Sequence, residues 1–195
     1  MVQELIPGED ECGVNDNCRM IDGEAVAEFT AEKVRLHPPA FGVPRVVRSK
    51  RIPDIVEPGR AILRGLGFEG FACTEFKRDP RTGVYNFLEV NGRHNRSGML
   101  AVRSGINFPR LHFDWLAEGA RPGQVSFREG VYWIDDLKDL AGSLRYRSVE
   151  RYSLRELIRP YVRPHVYAVM DWRDLGPIWR RLGNVLLRPQ PPARA

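Results

Sequence analysis

Glu75, Glu89 and Asn91 carry side-chain oxygen atoms that could bind a cation, and they lie in a segment with the pattern of a β-hairpin, residues 71–93. Two apolar runs flank a turn that contains proline and glycine, which is typical of a hairpin with a loop of about five residues. Side chains alternate between the two faces of a strand, so Glu89 and Asn91 point the same way. If the loop closes symmetrically, Glu75 lies opposite Phe87 and on that same face. The spacing therefore predicts that two carboxylates and one amide converge.

Carboxylates placed side by side on a sheet repel each other and lose hydration unless a cation lies between them. Oxygen ligands alone are typical of a hard ion, Mg²⁺ or Mn²⁺, which keeps some water ligands and takes others from phosphate groups. Glu75, Glu89 and Asn91 are therefore candidate metal ligands. The alternative is a solvated hairpin face with ordinary surface charges.

The same residues resemble the metal-binding motif of the ATP-grasp superfamily. Its ligases carry an acid on one strand and Glu-x-Asn on the next, followed by a basic residue. Here these are Glu75, the motif at residues 89–91, and Arg93. The resemblance covers residues 1–119 and implies the C-terminal lobe of an ATP-grasp fold, with the acids and the amide arranged around two Mg²⁺ ions.

The first residues of the chain resemble the hinge strand of the same superfamily. Backbone groups of that strand contact the adenine edge, and a nearby acid holds the ribose. The resemblance implies nucleotide contacts in a strand predicted over residues 2–6, at Gln3, Glu4, Leu5 and Ile6, with the ribose acid at Asp10.

ATP-grasp ligases use Mg-ATP to phosphorylate a carboxylate, and an amine, a thiol or another nucleophile then displaces phosphate from the acyl phosphate. The resemblance therefore implies ATP and Mg²⁺ (or Mn²⁺) as cofactors and a small carboxylate as substrate. Arg93 is expected to hold the substrate carboxylate or the acyl phosphate, since the paired N–H groups of a planar guanidinium fix the orientation of either group. Lys33 and Arg35 are two residues apart on a predicted strand, so they are expected to share a face and to contact the γ-phosphate or the acyl phosphate. The alternative for this pair is a solvated strand face.

In the superfamily, a preceding lobe carries a further phosphate-binding lysine and a glycine-rich lid, and neither is expected in these residues. The chain is therefore expected to be the C-terminal half of a longer ligase, or to form an oligomer. Two other functions stay open, a non-catalytic nucleotide-binding or interaction module and a basic nucleic-acid-binding protein. Only the net charge of +5 supports nucleic-acid binding, because no basic run is interleaved with aromatic residues. Nucleic acid is therefore not an expected partner.

The composition, with 43% hydrophobic residues over 195 positions, is sufficient for one globular unit with a substantial core. The three cysteines are odd in number and include no C-x-x-C pair, so neither a disulfide framework nor a zinc site is expected. Reduced thiols indicate the cytoplasm. The sequence has no signal-peptide pattern and no apolar run of about eighteen residues, so membrane contact is not expected.

The elements that must position these residues follow the order strand, strand, helix, strand, strand. This order predicts an α+β fold, an antiparallel sheet flanked by helices. Asp22-Gly23 predicts a two-residue turn between the first two strands, and a helix is predicted over residues 53–66. A basic amphipathic helix over residues 171–188 is expected to pack on its own domain. The predicted organisation is the C-terminal lobe at residues 1–119, a small helical accessory region with some α/β structure at residues 120–188, and a disordered tail at residues 189–195.

Overall fold

The computed structural model describes residues 4–123, 125–150 and 152–187. Gln3 and the predicted disordered tail lie outside these residues. The strands are β1 (Gly13–Ile21), β2 (Glu24–His37), β3 (Val43–Ser49), β4 (Gly70–Arg78), β5 (Tyr85–Asn91), β6 (Tyr132–Ile134) and β7 (His165–Tyr167). The helices are α1 (Pro53–Gly65), α2 (Met99–Ser104), α3 (Phe108–Glu118), α4 (Asp136–Arg145), α5 (Arg147–Glu150), α6 (Leu154–Val162) and α7 (Gly176–Leu187).

Seven strands form one sheet in the order β5-β4-β1-β2-β3-β6-β7. All neighbouring strands run antiparallel except β6 and β7, which are parallel. The α+β prediction is confirmed. The division at residue 119 stays a prediction, and β6 and β7, which follow that division, join the same sheet.

The first hairpin forms as predicted. Asp22 and Gly23 connect β1 to β2 and have positive φ angles of 51° and 75°, the conformation that two-residue hairpin turns require. The helix predicted over residues 53–66 is also present as α1.

The β4–β5 hairpin forms with a different register from the predicted one. Arg78 pairs with Tyr85, and the register shifts by one residue between Glu75 and Phe76. Glu75 therefore lies opposite Glu89 instead of opposite Phe87. The extra residue of the bulge keeps the two glutamates on one face, because without it the observed loop would place Glu75 opposite the residue before Glu89.

The predicted hinge strand is not found in the part of it that the structure describes. Residues 4–9 form no strand, and the first regular element is a 3-10 turn at Asp10–Cys12. Strand β3 was not predicted from the sequence.

The sheet is covered on both faces. Helix α1 packs Ile55 against Val14 and Phe76, and Leu63 against Cys18, on one face. Helices α2 and α3 cover the other face with a larger apolar cluster that includes Phe29, Val47, Leu100, Phe108 and Trp133. The candidate metal ligands lie at the edge of this second face.

Helix α7 packs on its own domain, as expected. Arg181 donates from Nη2 to Asp135 Oδ1 at 2.6 Å, and Asp135 is fully buried. No helix in the described ranges is both long and apolar enough to cross a membrane.

A buried carboxyl group lies between β1 and α1. Asp16 is fully buried, and neither carboxyl oxygen has a hydrogen-bond partner among the described residues. The helix approaches so closely that a Cβ on Gly59 would lie 3.2 Å from Asp16 Oδ2. Burial, with a further contribution from the nearby charge of Glu28, raises the pKa of Asp16 well above its usual range.

Asp16→Asn is expected to stabilise the protein at neutral pH. The folded state of the wild type holds a proton that the unfolded state releases above the usual pKa of aspartate. The free energy of unfolding therefore falls as pH rises from that value to the folded pKa, by at most about 1.4 kcal/mol per pH unit. Urea denaturation between acid and neutral pH should show this slope in the wild type and its loss in the variant. Asp54→Asn, on the exposed first turn of α1, is the control, and identical slopes for both variants would contradict the prediction.

Candidate functional site

The predicted metal ligands come together at the β4–β5 hairpin. Asn91 Nδ2 donates to Glu89 Oε1 at 2.9 Å and to Glu75 Oε1 at 3.4 Å. Glu75 and Glu89 are directly opposite residues of neighbouring strands. Two carboxylates and one amide therefore form a compact group of oxygen ligands on one face of the sheet.

Lys33 reaches this group from β2 by crossing β1. Its aliphatic stem passes over Gly13, where an added Cβ would lie 3.0 Å from Lys33 Cδ. The ammonium Nζ donates to Glu75 Oε2 at 2.5 Å, with the two side chains 16% and 20% exposed. A cation thus already lies beside Glu75, and a metal ion would compete with it for the same carboxylate.

A cavity of about 290 Å³ opens beside these residues. Its polar wall consists of Lys33, Glu75, Glu89, Asn91, Arg93, Asn95, Arg96, Ser97 and Asn15. Its apolar wall consists of Val47 and Trp133 together with Val43 and Pro44 at the start of β3. Acids and arginines in one lining can hold a ligand that carries both a metal-bound phosphate and a further anionic group.

The two arginines of the cavity differ in their partners. Arg96 donates from Nη2 to the buried Asp135 and lies 5.8 Å above the ring of Trp133. Arg93 is exposed, and no carboxylate of the described residues lies within ion-pair distance of it. Its guanidinium is therefore available to an anion in the cavity.

The expected placement of Arg35 is wrong. Lys33 lies opposite Val47, but Arg35 lies opposite Val46, because β2 contains a bulge between them. Consecutive residues of β3 point to opposite faces, so Lys33 and Arg35 do as well. The Arg35 guanidinium is 1% exposed and donates to both carboxylate oxygens of Asp139, at 2.9 and 2.7 Å. It cannot contact a phosphate beside Lys33.

The expected role of Asp10 is also corrected. Its Oδ2 accepts from the backbone N–H of Leu36 and its Oδ1 from that of Ala40, both at 2.7 Å. The side chain is buried and fixes the turn between β2 and β3, so it is not free for a ribose hydroxyl.

Residues 4–6 lie apart from the cavity. Glu4 and Leu5 are exposed and Ile6 is half-buried, and none of them lines the cavity wall. Glu4 pairs with Arg81 in the β4–β5 loop at 3.3 Å. Their contact with adenine stays a prediction.

Sequence reasoning missed the cavity residues of β3, and it also missed Asn15 and Trp133. Asn15 lies on β1 directly opposite Glu75, and Trp133 comes from β6, more than forty residues after the metal ligands. Asn15 is a polar residue on a strand that is buried along its whole length, and a buried amide of this kind is a signal that could have indicated its place in the site. Nothing local to Trp133 indicates that β6 pairs with β3.

The donor set fits a hard divalent ion whose shell is completed by other ligands. No group of three acidic, histidine or cysteine side chains that could hold a metal converges within the described residues. Two carboxylates and an amide leave coordination positions for water and phosphate oxygens, which is the manner in which Mg²⁺ is usually bound.

Comparison with known proteins gives relatives of low identity. The chain is 27% identical over 119 residues to the D-aspartate ligase of Enterococcus faecium (strain Aus0004), an alignment that covers 57% of this chain and 27% of the ligase. The chain therefore spans about a quarter of the length of that curated relative. No family model matches the chain.

Two solved structures share the fold. One is a complex of biotin carboxylase from Campylobacter jejuni with β,γ-ATP, with a TM-score of 0.53 and 17% identity over 67% of this chain and 30% of that one. The other is the biotin carboxylase subunit of a pyruvate carboxylase, with a TM-score of 0.50 and 14% identity over 66% of this chain and 30% of that one.

The sheet, the hairpin that carries two acids and an amide, and these likenesses identify the fold. The chain has the ATP-grasp fold. In sequence it is similar, at low identity, to a D-aspartate ligase.

Proposed function

We propose that this chain supplies the metal-binding and phosphate-binding lobe of an ATP- and Mg²⁺-dependent ligase that activates a carboxylate through an acyl phosphate. The observation that carries the proposal is the convergence of Lys33, Glu75, Glu89, Asn91 and Arg93 around one cavity. These residues come from three strands and the segment after β5, so their meeting is a property of the fold.

Each residue has a distinct task in this reaction. Glu75, Glu89 and Asn91 would hold Mg²⁺, which neutralises charge on the β- and γ-phosphates when it is bound. Lys33 would exchange its contact with Glu75 for one with the γ-phosphate. Arg93 would orient the substrate carboxylate, since its paired N–H groups match two oxygens.

The proposed reaction has two steps, phosphoryl transfer to the carboxylate and then acyl transfer to the nucleophile. A carboxylate oxygen forms a bond to the γ-phosphorus, and the bond from that phosphorus to the bridging oxygen breaks, which releases ADP. An amine or a thiol next bonds to the acyl carbon, the bond to the phosphate oxygen breaks, and phosphate and one proton leave. The positive groups around the cavity stabilise the charge on the transferring phosphoryl group.

Two measurements test the proposal. The first is ADP release that requires a carboxylate. The second is formation of a hydroxamate, because we expect hydroxylamine to trap the acyl phosphate when the protein is mixed with Mg-ATP and each of a panel of amino acids, D-aspartate first. Both measurements use the chain alone and the chain completed by the preceding lobe of a related ligase. Mg-ATP binding without hydroxamate from any carboxylate, in both preparations, would instead support a non-catalytic nucleotide-binding module.

Lys33→Met separates the phosphate role from the metal role. Removal of the ammonium frees Glu75, so Mn²⁺ binding should be kept or strengthened. Turnover should fall by about 10²-fold, because one group that stabilises the transferring phosphoryl charge is lost. The matched control is Lys138→Met, which removes a half-buried lysine of α4 that does not line the cavity. Equal turnover for the two variants would contradict the assignment of Lys33.

A further inference from the structure

A second polar cavity lies on the face of the sheet away from the candidate site. It has a volume of about 450 Å³, and its charged lining consists of Arg48, Lys50, Arg128, Arg159, Arg163 and Glu129. We name it the basic groove. Arg48 follows Val47, which lines the candidate site, so the two side chains point to opposite faces.

Three arginines of the basic groove have no carboxylate partner. Arg128, Arg159 and Arg163 are exposed, and no acidic oxygen of the described residues lies within 4 Å of their nitrogens. Like charges brought together on one surface repel each other, so an anion that binds among them lowers the free energy.

Two acids beside the basic groove are paired with cations, and a third, Glu11, lies close enough to Arg48 and Lys50 to interact with their charges. Glu32 is buried and pairs with both Arg48 and Lys50, so one carboxylate serves two cations. Glu129 turns toward Arg51, with its Oε1 at 3.4 Å from Nε and its Oε2 accepting from the backbone N–H at 2.8 Å. Cationic side chains outnumber acids in the described lining of the groove, where Glu129 is the acid, so the lining carries an excess of positive charge.

Hydrogen bonds fix the walls that present the arginines. The backbone of Arg128 donates to Ser104 O at 2.8 Å and accepts from Ser49 Oγ at 2.9 Å. On the other side, Tyr132 N donates to Pro164 O at 2.8 Å, next to Arg163. Because the backbone is held at both walls, a ligand would need to order only the arginine side chains.

We propose that the basic groove is a binding site for a small anion with two or more phosphate groups. Several guanidinium groups from separate segments match several phosphates, each of which accepts paired N–H donors. The aromatic residue of the groove, Tyr132, is 2% exposed. No aromatic face in the described lining is therefore open for the base stacking on which single-stranded nucleic acids depend.

The test is titration calorimetry of the whole chain with tripolyphosphate at low ionic strength, with EDTA present to remove divalent ions. Arg159→Gln combined with Arg163→Gln should weaken binding by about tenfold or more. Arg103→Gln removes an exposed arginine of α2 outside both cavities and should change the affinity by less than about twofold. Arg93→Gln separates the two cavities, because it should remove only tripolyphosphate bound at the candidate site and should keep the binding that depends on Arg159 and Arg163. Thermal unfolding checks that each variant is folded.

Three outcomes would overturn the proposal. The first is absence of tripolyphosphate binding by the wild type, and the second is an equal loss of affinity in the Arg103 and the Arg159/Arg163 variants. The third is competition by single-stranded RNA at concentrations well below those of tripolyphosphate, with dependence on the same arginines, which would identify a nucleic-acid surface. Because Arg93→Gln affects only the candidate site, failure here is distinguishable from failure of the ligase proposal.

Discussion

Glu89→Gln is expected to weaken Mn²⁺ binding by about tenfold or more and to lower ATP-dependent turnover by about 10²–10³-fold. Glu89 lies directly opposite Glu75 and accepts from Asn91 Nδ2, so it is next to both other members of the group. Glutamine keeps the shape of the side chain and the hydrogen bond from Asn91 but removes the charge that holds a divalent ion. Mn²⁺ binding is measured by electron paramagnetic resonance on the chain, and turnover by ADP release.

The fold should be unaffected, because Glu89 is exposed and substitutions at such positions change stability by less than about 0.5 kcal/mol. The matched control is Glu118→Gln at the end of α3, which is exposed and belongs to neither cavity. We expect the control to bind Mn²⁺ as the wild type does. If Glu89→Gln also binds Mn²⁺ with wild-type affinity, Glu89 is not a metal ligand.

The grouping of the acids could be predicted from the sequence, although their register could not. Alternation along β5 predicts that Glu89 and Asn91 lie on one face, and in the structure their side chains are hydrogen-bonded to each other. The position of Glu75 depended on loop length and on a bulge. The predicted loop was one residue too short, and the bulge shifted the pairing so that Glu75 still reached the correct face. Two errors therefore compensated each other, since each changes the register by one residue.

Arg35 shows the limit of the same reasoning. On a regular strand, residues two positions apart lie on the same face. The spacing of Lys33 and Arg35 therefore predicted one shared face. The bulge in β2 breaks it, and no proline or glycine lies between the two residues to signal the bulge. The partner that holds Arg35, Asp139, is more than one hundred residues away, so local pattern carried no information about it.

The cavity wall that follows β5 was predictable in part. The polar residues from Arg93 to Ser97 directly follow β5, the strand that carries Glu89 and Asn91. Because they are joined to that strand along the chain, they must lie close to the site. The opposite wall required knowing that β3 pairs with β6, which brings Trp133 beside Val47. Pairing between strands far apart in sequence is decided by tertiary packing, and a three-residue strand such as β6 has too short a pattern to specify it.

Asp139→Asn is expected to destabilise the protein by about 3–5 kcal/mol, the largest stability effect among the variants considered. Asp139 is 1% exposed and receives two hydrogen bonds from Arg35 and one from Tyr161, whose hydroxyl lies 2.6 Å away. Arg45 is also buried, with its Nε at 3.6 Å from Asp139, and pairs with Glu150. Loss of the Asp139 charge leaves two buried guanidinium groups with one carboxylate.

Urea denaturation checks this value, with Asp54→Asn as the exposed control that should cost less than about 0.5 kcal/mol.

A triple variant tests whether the cost of Asp139→Asn comes from an uncompensated charge. Asp139→Leu combined with Arg35→Met and Tyr161→Phe replaces the carboxylate and its three hydrogen bonds with apolar contacts, and it should recover most of the lost stability. If the triple variant is as unstable as the single one, the ion pair itself would be the source of stability. Arg35 extends from β2 just beyond the bulge that turns Lys33 toward Glu75, so the buried network anchors the strand that presents the phosphate-binding lysine. We therefore expect Asp139→Asn to lower turnover together with stability, and the triple variant to restore both.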